Sequence, residues 1–344
     1  MKLWVTVSGY AFDDDRLRAM LRFEPDAVRI NLGREHPEWA QSTIALLEAE
    51  GFPPSRVYLD VGNSKPRIQL GHRAATILCS PTSVLTLFRP TDELFSEASV
   101  SHPVMSNFAD LEQGDSLVVG DGVAELLVTC AGRDRVSLVA ERSIEIPDGT
   151  SLFVKGGRQA RAGVRDLERE SVNDLLSRWP ASLLISFVES ATAVSIARDT
   201  FPKAFEVVPK VETFHGVRNV GEIASVSDTI MLGRGDLALS VGLGRLGAAQ
   251  EEVMREAHSA GSNVVIATGV LESLMGAEIP TRAEAIDLYN SYRQGAYGVA
   301  LTSETAGARQ DPIRVIRGAR ALMDDMEGKI AHSRAERHDP GPTL

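Results

Sequence analysis

Lys210 and Glu212 stand two residues apart at the end of a short apolar run, and Arg29 and Asn31 do the same at the end of another. In an extended strand that spacing puts both side chains on one side. Other apolar runs also end in polar residues: Asp60, Gly233–Arg234–Gly235–Asp236, Thr268–Gly269 and Thr302–Ser303–Glu304. Glu212 and Asp236 suit a hard cation such as Mg²⁺, with Mn²⁺ as its alternative. Such an ion takes one or two protein carboxylates and completes its shell with water and substrate oxygens. His215, three residues beyond Glu212, reads as a helix-start residue rather than a ligand. Lys210 and Arg29 would supply positive charge for a phosphate or carboxylate, Arg through paired hydrogen bonds and Lys as a movable point charge. The chemistry that fits is Mg²⁺-assisted work on a small phosphorylated acid.

Such residues can meet only if the strands carrying them share one open end. Eight apolar runs dense in Val, Ile and Leu read as buried parallel strands: Leu3–Val7, Ala27–Ile30, Val57–Leu59, Leu183–Ser186, Glu206–Pro209, Thr229–Leu232, Asn263–Ala267 and Gly298–Leu301. Helical patterns follow them, over Asp14–Leu21, Trp39–Glu50, Ser171–Arg178, Ala191–Asp199, Gly216–Ser225, Leu246–Ala260, Ala283–Gln294 and Pro312–Met326. Thr281 to Glu284 spells a capping box. The expected fold is an α/β (β/α)8 TIM barrel, whose active sites lie at the C-terminal strand ends.

The alternation breaks after the third strand. Residues 69–163 carry β-like stretches and Gly–Asp turns without helical periodicity, so a small all-β lid domain is expected there. The barrel would then comprise residues 1–68 and 164–330, and the polar residues 331–344 would form a flexible tail.

The chain has 36 basic and 47 acidic residues, a net charge of -11, which argues against a nucleic-acid or membrane-surface partner. Cys79 and Cys130 stand alone, with no CxxC spacing, which points to a reducing compartment and away from structural zinc. No signal-peptide pattern or membrane-length apolar run is present, so a cytoplasmic protein is expected. Its expected partners are small-molecule substrates, with assembly into a homo-oligomer left open.

Several segments together carry a family resemblance. KVETFHGVRNVGEIASVSDTIMLGRGDLAL resembles the pyruvate kinase segment that holds the catalytic Lys, the metal Glu and the ARGDL metal Asp. VVIATGVLESLMGAEIPTRAEAIDLYNSYRQGAYGVALTSETA is similar to that family's TATQMLESM, PTRAE and LSGETA segments. VRINLG and LDVGNSKPRI resemble its ARLNFSHG and LDTKGPEIR, and GDSLVVGDG resembles part of its lid. The resemblance implies a glycolysis-related, Mg²⁺-dependent kinase that transfers a phosphoryl group between phosphoenolpyruvate and a nucleoside diphosphate. It implies that Lys210 is the phosphoryl-transfer lysine, that Arg29 grips the phosphate and that Thr268 lies beside the enolate carbon. Glu212 and Asp236 would bind the metal, and the Gly235–Asp236 backbone the substrate carboxylate. Asn31, Arg34, Trp39 and Arg67 would face the nucleotide.

The departures are equally specific. Gly33 and Val61 replace a serine and a threonine of the family's monovalent-cation site. Lys65, counted from Asp60, stands where potassium-dependent members carry a glutamate and potassium-independent members a lysine. No K⁺ requirement is therefore expected, with Lys65 beside Asp60 replacing the cation. Gly269 replaces a glutamine, and Arg34 and Trp39 replace a His and a Tyr. Arg165, Arg161 and Lys155 are the candidates to replace the family's lid lysine. The resemblance ends before the family's C-terminal regulatory domain, so allostery of that kind is expected to be absent. Two alternatives to the kinase remain. One is an enolate enzyme of a biosynthetic pathway, a lyase or a transferase with another acceptor. The other is a non-catalytic ligand-sensing barrel.

Overall fold

A computed structural model describes residues 1–9, 11–32, 37–61, 66–70, 76–88, 104–106, 111–120, 122–155, 166–306 and 312–337. Eight parallel strands close into a barrel: β1 Lys2–Val7, β2 Ala27–Asn31, β3 Val57–Val61, β4 Ser182–Ile185, β5 Val207–Val211, β6 Thr229–Gly233, β7 Asn263–Ala267 and β8 Gly298–Leu301. Each strand pairs with its sequence neighbours, and β8 closes on β1 with Leu3 opposite Val299. The outward side chains of these strands pack on the surrounding helices in one large apolar core that includes Leu3, Val5, Ile30, Leu59, Leu183, Val211, Ile230 and Ile266. Trp4, Ala27, Tyr58, Leu184, Val208, Met231, Val265, Ala267 and Ala300 form a second cluster. They alternate with the outward set, so they fill the barrel interior as a plug. The Trp4 and Tyr58 rings lie 4.1 Å apart inside it.

The helices end where the local sequence says they should. Asp13, Ser190, Thr213 and Thr281 each accept a first-turn amide, and Thr281 with Glu284 completes the capping box. Two helical expectations are corrected. The stretch expected as one helix over Gly216–Ser225 is two, Phe214–Arg218 and Val220–Ala224. Asn219 breaks it, with φ -103° and ψ 10°, and its side-chain Nδ2 donates to the Glu189 carbonyl at 2.8 Å. The final helix runs from Pro312 to Arg337, through Gly328 and into residues expected as a flexible tail. The run between Gly328 and Arg337 is rich in Lys, Ala, Arg and Glu, which propagate a helix well, and Pro340 comes only afterwards. Residues 338–344 lie outside the described residues.

Between β3 and β4 the chain builds a separate sheet of seven strands. Their order is Leu152–Val154, Ser116–Val119, Ala124–Ala131, Arg135–Ala140, Leu85–Phe88, Val104–Ser106 and Arg67–Gln69. Ile144–Pro147 and Thr76–Cys79 pair beside it. The insert has its own core, with Ile68, Leu87, Leu117, Leu126, Val136, Leu138, Ile146 and Leu152 buried. Its sheet takes in Arg67–Gln69, so it begins two residues before the expected boundary at 69. It touches the barrel through Val118 and Phe153, which pack on Phe187 after β4 and on Leu239.

Candidate active site

The barrel plug explains where the polar residues stand. Thr6, Arg29, Asp60 and Lys210 each lie two residues beyond a plug residue on the same strand, and so on the same inward face one step nearer the C-terminal end. Ser186 and Glu212 continue that spacing just past the ends of β4 and β5. Thr6 follows Trp4 in this way, Arg29 follows Ala27, and Asp60 follows Tyr58. Ser186 follows Leu184, and Lys210 with Glu212 follows Val208. The plug walls off the lower barrel, and the next layer is a polar floor.

That floor is a connected charge network. Arg29 Nε donates to Asp60 Oδ2 at 2.8 Å, and its Nη1 to Thr6 Oγ1 at 3.1 Å. The Lys210 ammonium lies 3.1 Å from Asp60 Oδ2, 3.0 Å from Ser186 Oγ and 3.3 Å from Glu212 Oε1. Asp60, Lys210 and Glu212 are all buried. Burial alone pushes the Lys210 pKa down, but Asp60 and Glu212 outweigh it and hold the group above its usual range, as an ammonium. Burial likewise pushes Asp60 up, and Lys210 with Arg29 more than reverses this, so Asp60 stays ionised.

Glu212 differs in sign. Burial pushes its carboxyl above the usual range, Lys210 opposes that, and the charges of Asp236 and Asp60 push it further up. Its Oε2 accepts the Phe187 amide at 3.0 Å, from a backbone with φ 56°. Gly233, at the end of β6, leaves room for it: a Cβ there would meet Glu212 Oε1 at 2.6 Å. Asp236 sits in the first turn of the helix Arg234–Val241, whose N-cap, Gly233, provides no side-chain cap. An uncapped N-terminus of this kind suits an anion.

Two cations, Arg29 and Lys210, thus share the mouth with three carboxylates, Asp60, Glu212 and Asp236. Among the described residues no group of three or more His, Cys, Asp or Glu is gathered for a metal. The Glu212–Asp236 pair still fits Mg²⁺, a hard ion that draws most of its shell from water and substrate. The upward push of Asp236 on Glu212 is the repulsion that a bound cation would relieve.

β7 brings the remaining expected residue to the same end. Thr268 is half-buried, with φ 72°, and packs against Gly235, where an added Cβ would meet Thr268 Cγ2 at 2.9 Å. Glu272 Oε1 accepts the Gly269 amide at 3.0 Å. His215 is exposed in the short helix Phe214–Arg218, edge-on to the Phe214 ring, as a helix-start residue should be.

The residues expected to hold a nucleotide are less gathered. Asn31 ends β2, in register with Asp60. Trp39 lies half-buried in the helix Pro37–Ala49 and packs against the barrel's outer core. Arg67 stands in the insert sheet and donates to the Gly149 carbonyl at 2.8 Å. Lys155 is on the insert surface, 2.6 Å from Glu125 Oε1. Gly33, Arg34, Lys65, Arg161 and Arg165 lie outside the described residues. Sequence reasoning assigned no role to Thr6, Ser186 or Arg234. The two-residue spacing was signal enough for Thr6 and Ser186, whereas Arg234 was marked only by its place in the strand-end run Gly233–Arg234–Gly235–Asp236.

The pyruvate kinase barrel-domain model matches residues 6–315. A pyruvate kinase from Aeropyrum pernix is 26% identical, with 100% of this chain and 74% of that protein aligned. One from Pyrobaculum aerophilum is 28% identical over 90% of this chain and 67% of its own. The crystal structure of pyruvate kinase from Pyrobaculum aerophilum shares the fold, with a TM-score of 0.77 at 24% identity over 94% of this chain and 73% of that one.

Proposed function

The chain belongs to the pyruvate kinase family and is a phosphotransferase of that kind, and from this premise we propose that it transfers a phosphoryl group between phosphoenolpyruvate and a nucleoside diphosphate. The observation that carries this reading is the buried Lys210 ammonium, fixed between Asp60, Ser186 and Glu212 at a barrel strand end. A charge held in place before substrate arrives costs no reorganisation during reaction, and phosphoryl transfer is catalysed mostly by such placement.

In this reading Arg29 and Lys210 grip the transferring phosphoryl. Arg29 turns its guanidinium into the mouth because Asp60 and Thr6 hold it there. The first-turn amides at Gly235 and Asp236 bind the substrate carboxylate. Glu212 and Asp236 would hold Mg²⁺, which supplies charge neutralisation for the phosphate and the enolate when bound. Thr268 places its hydroxyl beside the enolate carbon, on the path by which a proton reaches it. The insert serves as the lid that excludes water. With Asp60 already paired to Lys210 and Arg29, and with Lys65 nearby in sequence, the site works without K⁺. Among the described residues no helix is long and apolar enough to cross a membrane. By its kinship with pyruvate kinases we place the enzyme in the cytoplasm, with small-molecule substrates as partners and homo-oligomer assembly left open.

One observation favours a different acceptor. Lys155 and Arg67, two candidates for nucleotide phosphates, are engaged with Glu125 and the Gly149 carbonyl. A lyase or a transferase with another acceptor would keep the enolate half and dispense with both. Pyruvate formation from phosphoenolpyruvate and Mg²⁺, measured with a panel of nucleoside diphosphates, decides between the readings. Pyruvate that appears only with a diphosphate supports the kinase. Pyruvate released at the same rate without one, with water taking the phosphoryl group, rejects the kinase. No pyruvate with any diphosphate also rejects the kinase and leaves the alternative, whose own acceptor the panel does not contain.

A further inference from the structure

Arg234 opens the helix that carries Asp236, yet its own side chain is buried and fully engaged. Its Nε donates to the Thr268 carbonyl and its Nη2 to the Gly269 carbonyl, both at 2.9 Å. Nη1 donates to Asp287 Oδ1 at 2.9 Å and to Gln250 Oε1 at 3.4 Å. Gln250 donates in turn to Gln294 at 2.7 Å. One guanidinium therefore joins the loop after β7 to the helices Leu243–Ser259 and Arg282–Arg293.

The two carbonyls it takes belong to unusual backbone. Thr268 and Gly269 both have φ 72°. Glycine enters this left-handed region freely, but a β-branched residue does not, and it persists there only when its surroundings over-determine it. Two bonds to consecutive carbonyls of a left-handed pair supply that constraint. Gly235, the residue after Arg234, has no Cβ and so leaves the room that the Thr268 methyl occupies.

We propose that Arg234 is a positioning residue, which holds Thr268 in its left-handed backbone and so fixes the Thr268 hydroxyl relative to Asp236 on the same helix. The inference rests on the role proposed above for Thr268. Lysine cannot stand in for it. The planar guanidinium reaches two carbonyls and Asp287 at once, whereas an ammonium is a compact point charge on a flexible stem.

Arg234→Lys is expected to lower kcat about 10²-fold, because a small misplacement of a reacting group costs that much. The KM for phosphoenolpyruvate and the Mg²⁺ concentration for half-activation should stay near their wild-type values. Thr268→Ala should lower kcat as well, and adding Arg234→Lys to it should lower kcat little further, since both changes act through one residue. Losses that multiply in the double variant, or a Mg²⁺ requirement that rises as kcat falls, overturn the proposal. A crystal structure of Arg234→Lys reads the same point without chemistry. Thr268 should leave the left-handed region, and a Thr268 that keeps φ near 72° contradicts the inference. If the wild-type protein leaves phosphoenolpyruvate untouched, the proposed function falls, while the crystal structure still decides what Arg234 holds. Should Arg234→Lys fail to fold, Asp287→Asn loosens the same anchor and should give a smaller fall in kcat at unchanged KM; unchanged kcat there also overturns it.

Discussion

The Lys210 ammonium lies 3.1 Å from Asp60 Oδ2 at the floor of the barrel mouth, with the side chains 9% and 4% exposed. Arg29 Nε donates to the same Oδ2 at 2.8 Å. Lys210→Met is expected to lower turnover by about 10²–10³ or more, the loss typical of one preorganised group in the reaction's path. It also leaves the buried Asp60 with a single cationic partner. The stability loss should stay below the ~3–5 kcal/mol of a fully orphaned charge, because Arg29 remains. Steady-state kinetics and a urea titration of the same variant check both, and near-normal turnover rejects Lys210 as the phosphoryl-transfer lysine.

Gly233 and Gly235 lie on either side of Arg234 and give a paired test. A Cβ at Gly233 would strike Glu212 Oε1 at 2.6 Å, and one at Gly235 would strike Thr268 Cγ2 at 2.9 Å. Gly233→Ala should therefore raise the Mg²⁺ concentration needed for activity, by about tenfold for each ~1.4 kcal/mol of displaced binding. Gly235→Ala should depress kcat at nearly unchanged Mg²⁺ dependence. Mg²⁺ titrations of the two variants that superimpose would undo this division of labour.

Two buried carboxylates should respond to pH in opposite senses. Asp60 is held below its ordinary 3.8, because Lys210 and Arg29 outweigh burial. Its stabilising contribution is present above that value and is lost as pH falls through the lower folded value. The stability deficit of Asp60→Asn should thus narrow only in strong acid. Glu206 is pushed above 4.5 by burial first and by Asp228, and its Oε1 is buried with no hydrogen-bond partner among the described residues. Its contribution is complete below 4.5 and is lost as pH rises through the higher folded value. Glu206→Gln should therefore stabilise the protein progressively as pH climbs above 4.5 and through the raised folded value. Melting temperatures of both variants from strong acid up through that folded value check the signs.

Activity with Mg²⁺ should be indifferent to replacing K⁺ by a tetraalkylammonium salt at fixed ionic strength. Asp60 already has two cationic partners, and two unit charges about 4 Å apart cost roughly 4 kcal/mol at an effective dielectric of 20, which disfavours a third. A rate that rises tenfold or more on adding K⁺ would contradict this.

Much of this was legible in the amino-acid sequence because the barrel repeats a simple rule. Asp14–Leu21, Asn263–Ala267 and Gly298–Leu301 occur as expected, the helix expected over Gly216–Ser225 is split in two, and the other expected barrel elements shift at their ends. Lys210 and Glu212 could be placed together because a strand's two-residue period needs no tertiary information. Arg234 could not, since its role depends on Thr268, Asp287 and Gln250, which only the folded chain brings to it. Asn219 inside an apparently continuous helix pattern was missed for the same reason: its partner, the Glu189 carbonyl, belongs to another unit. In the insert the short strands Arg67–Gln69 and Leu152–Val154 carry too few residues to show a period.

The most direct test of the phosphotransferase reading follows phosphorus rather than pyruvate. ³¹P spectra of phosphoenolpyruvate with Mg²⁺, an excess of nucleoside diphosphate and the wild-type protein should show the phosphoenolpyruvate signal replaced, in equal amount, by the γ-phosphate of the triphosphate. Lys210→Met under the same conditions should leave the spectrum unchanged. Phosphoenolpyruvate converted to inorganic phosphate or to another phosphoryl compound, with the diphosphate unaltered, would contradict the account.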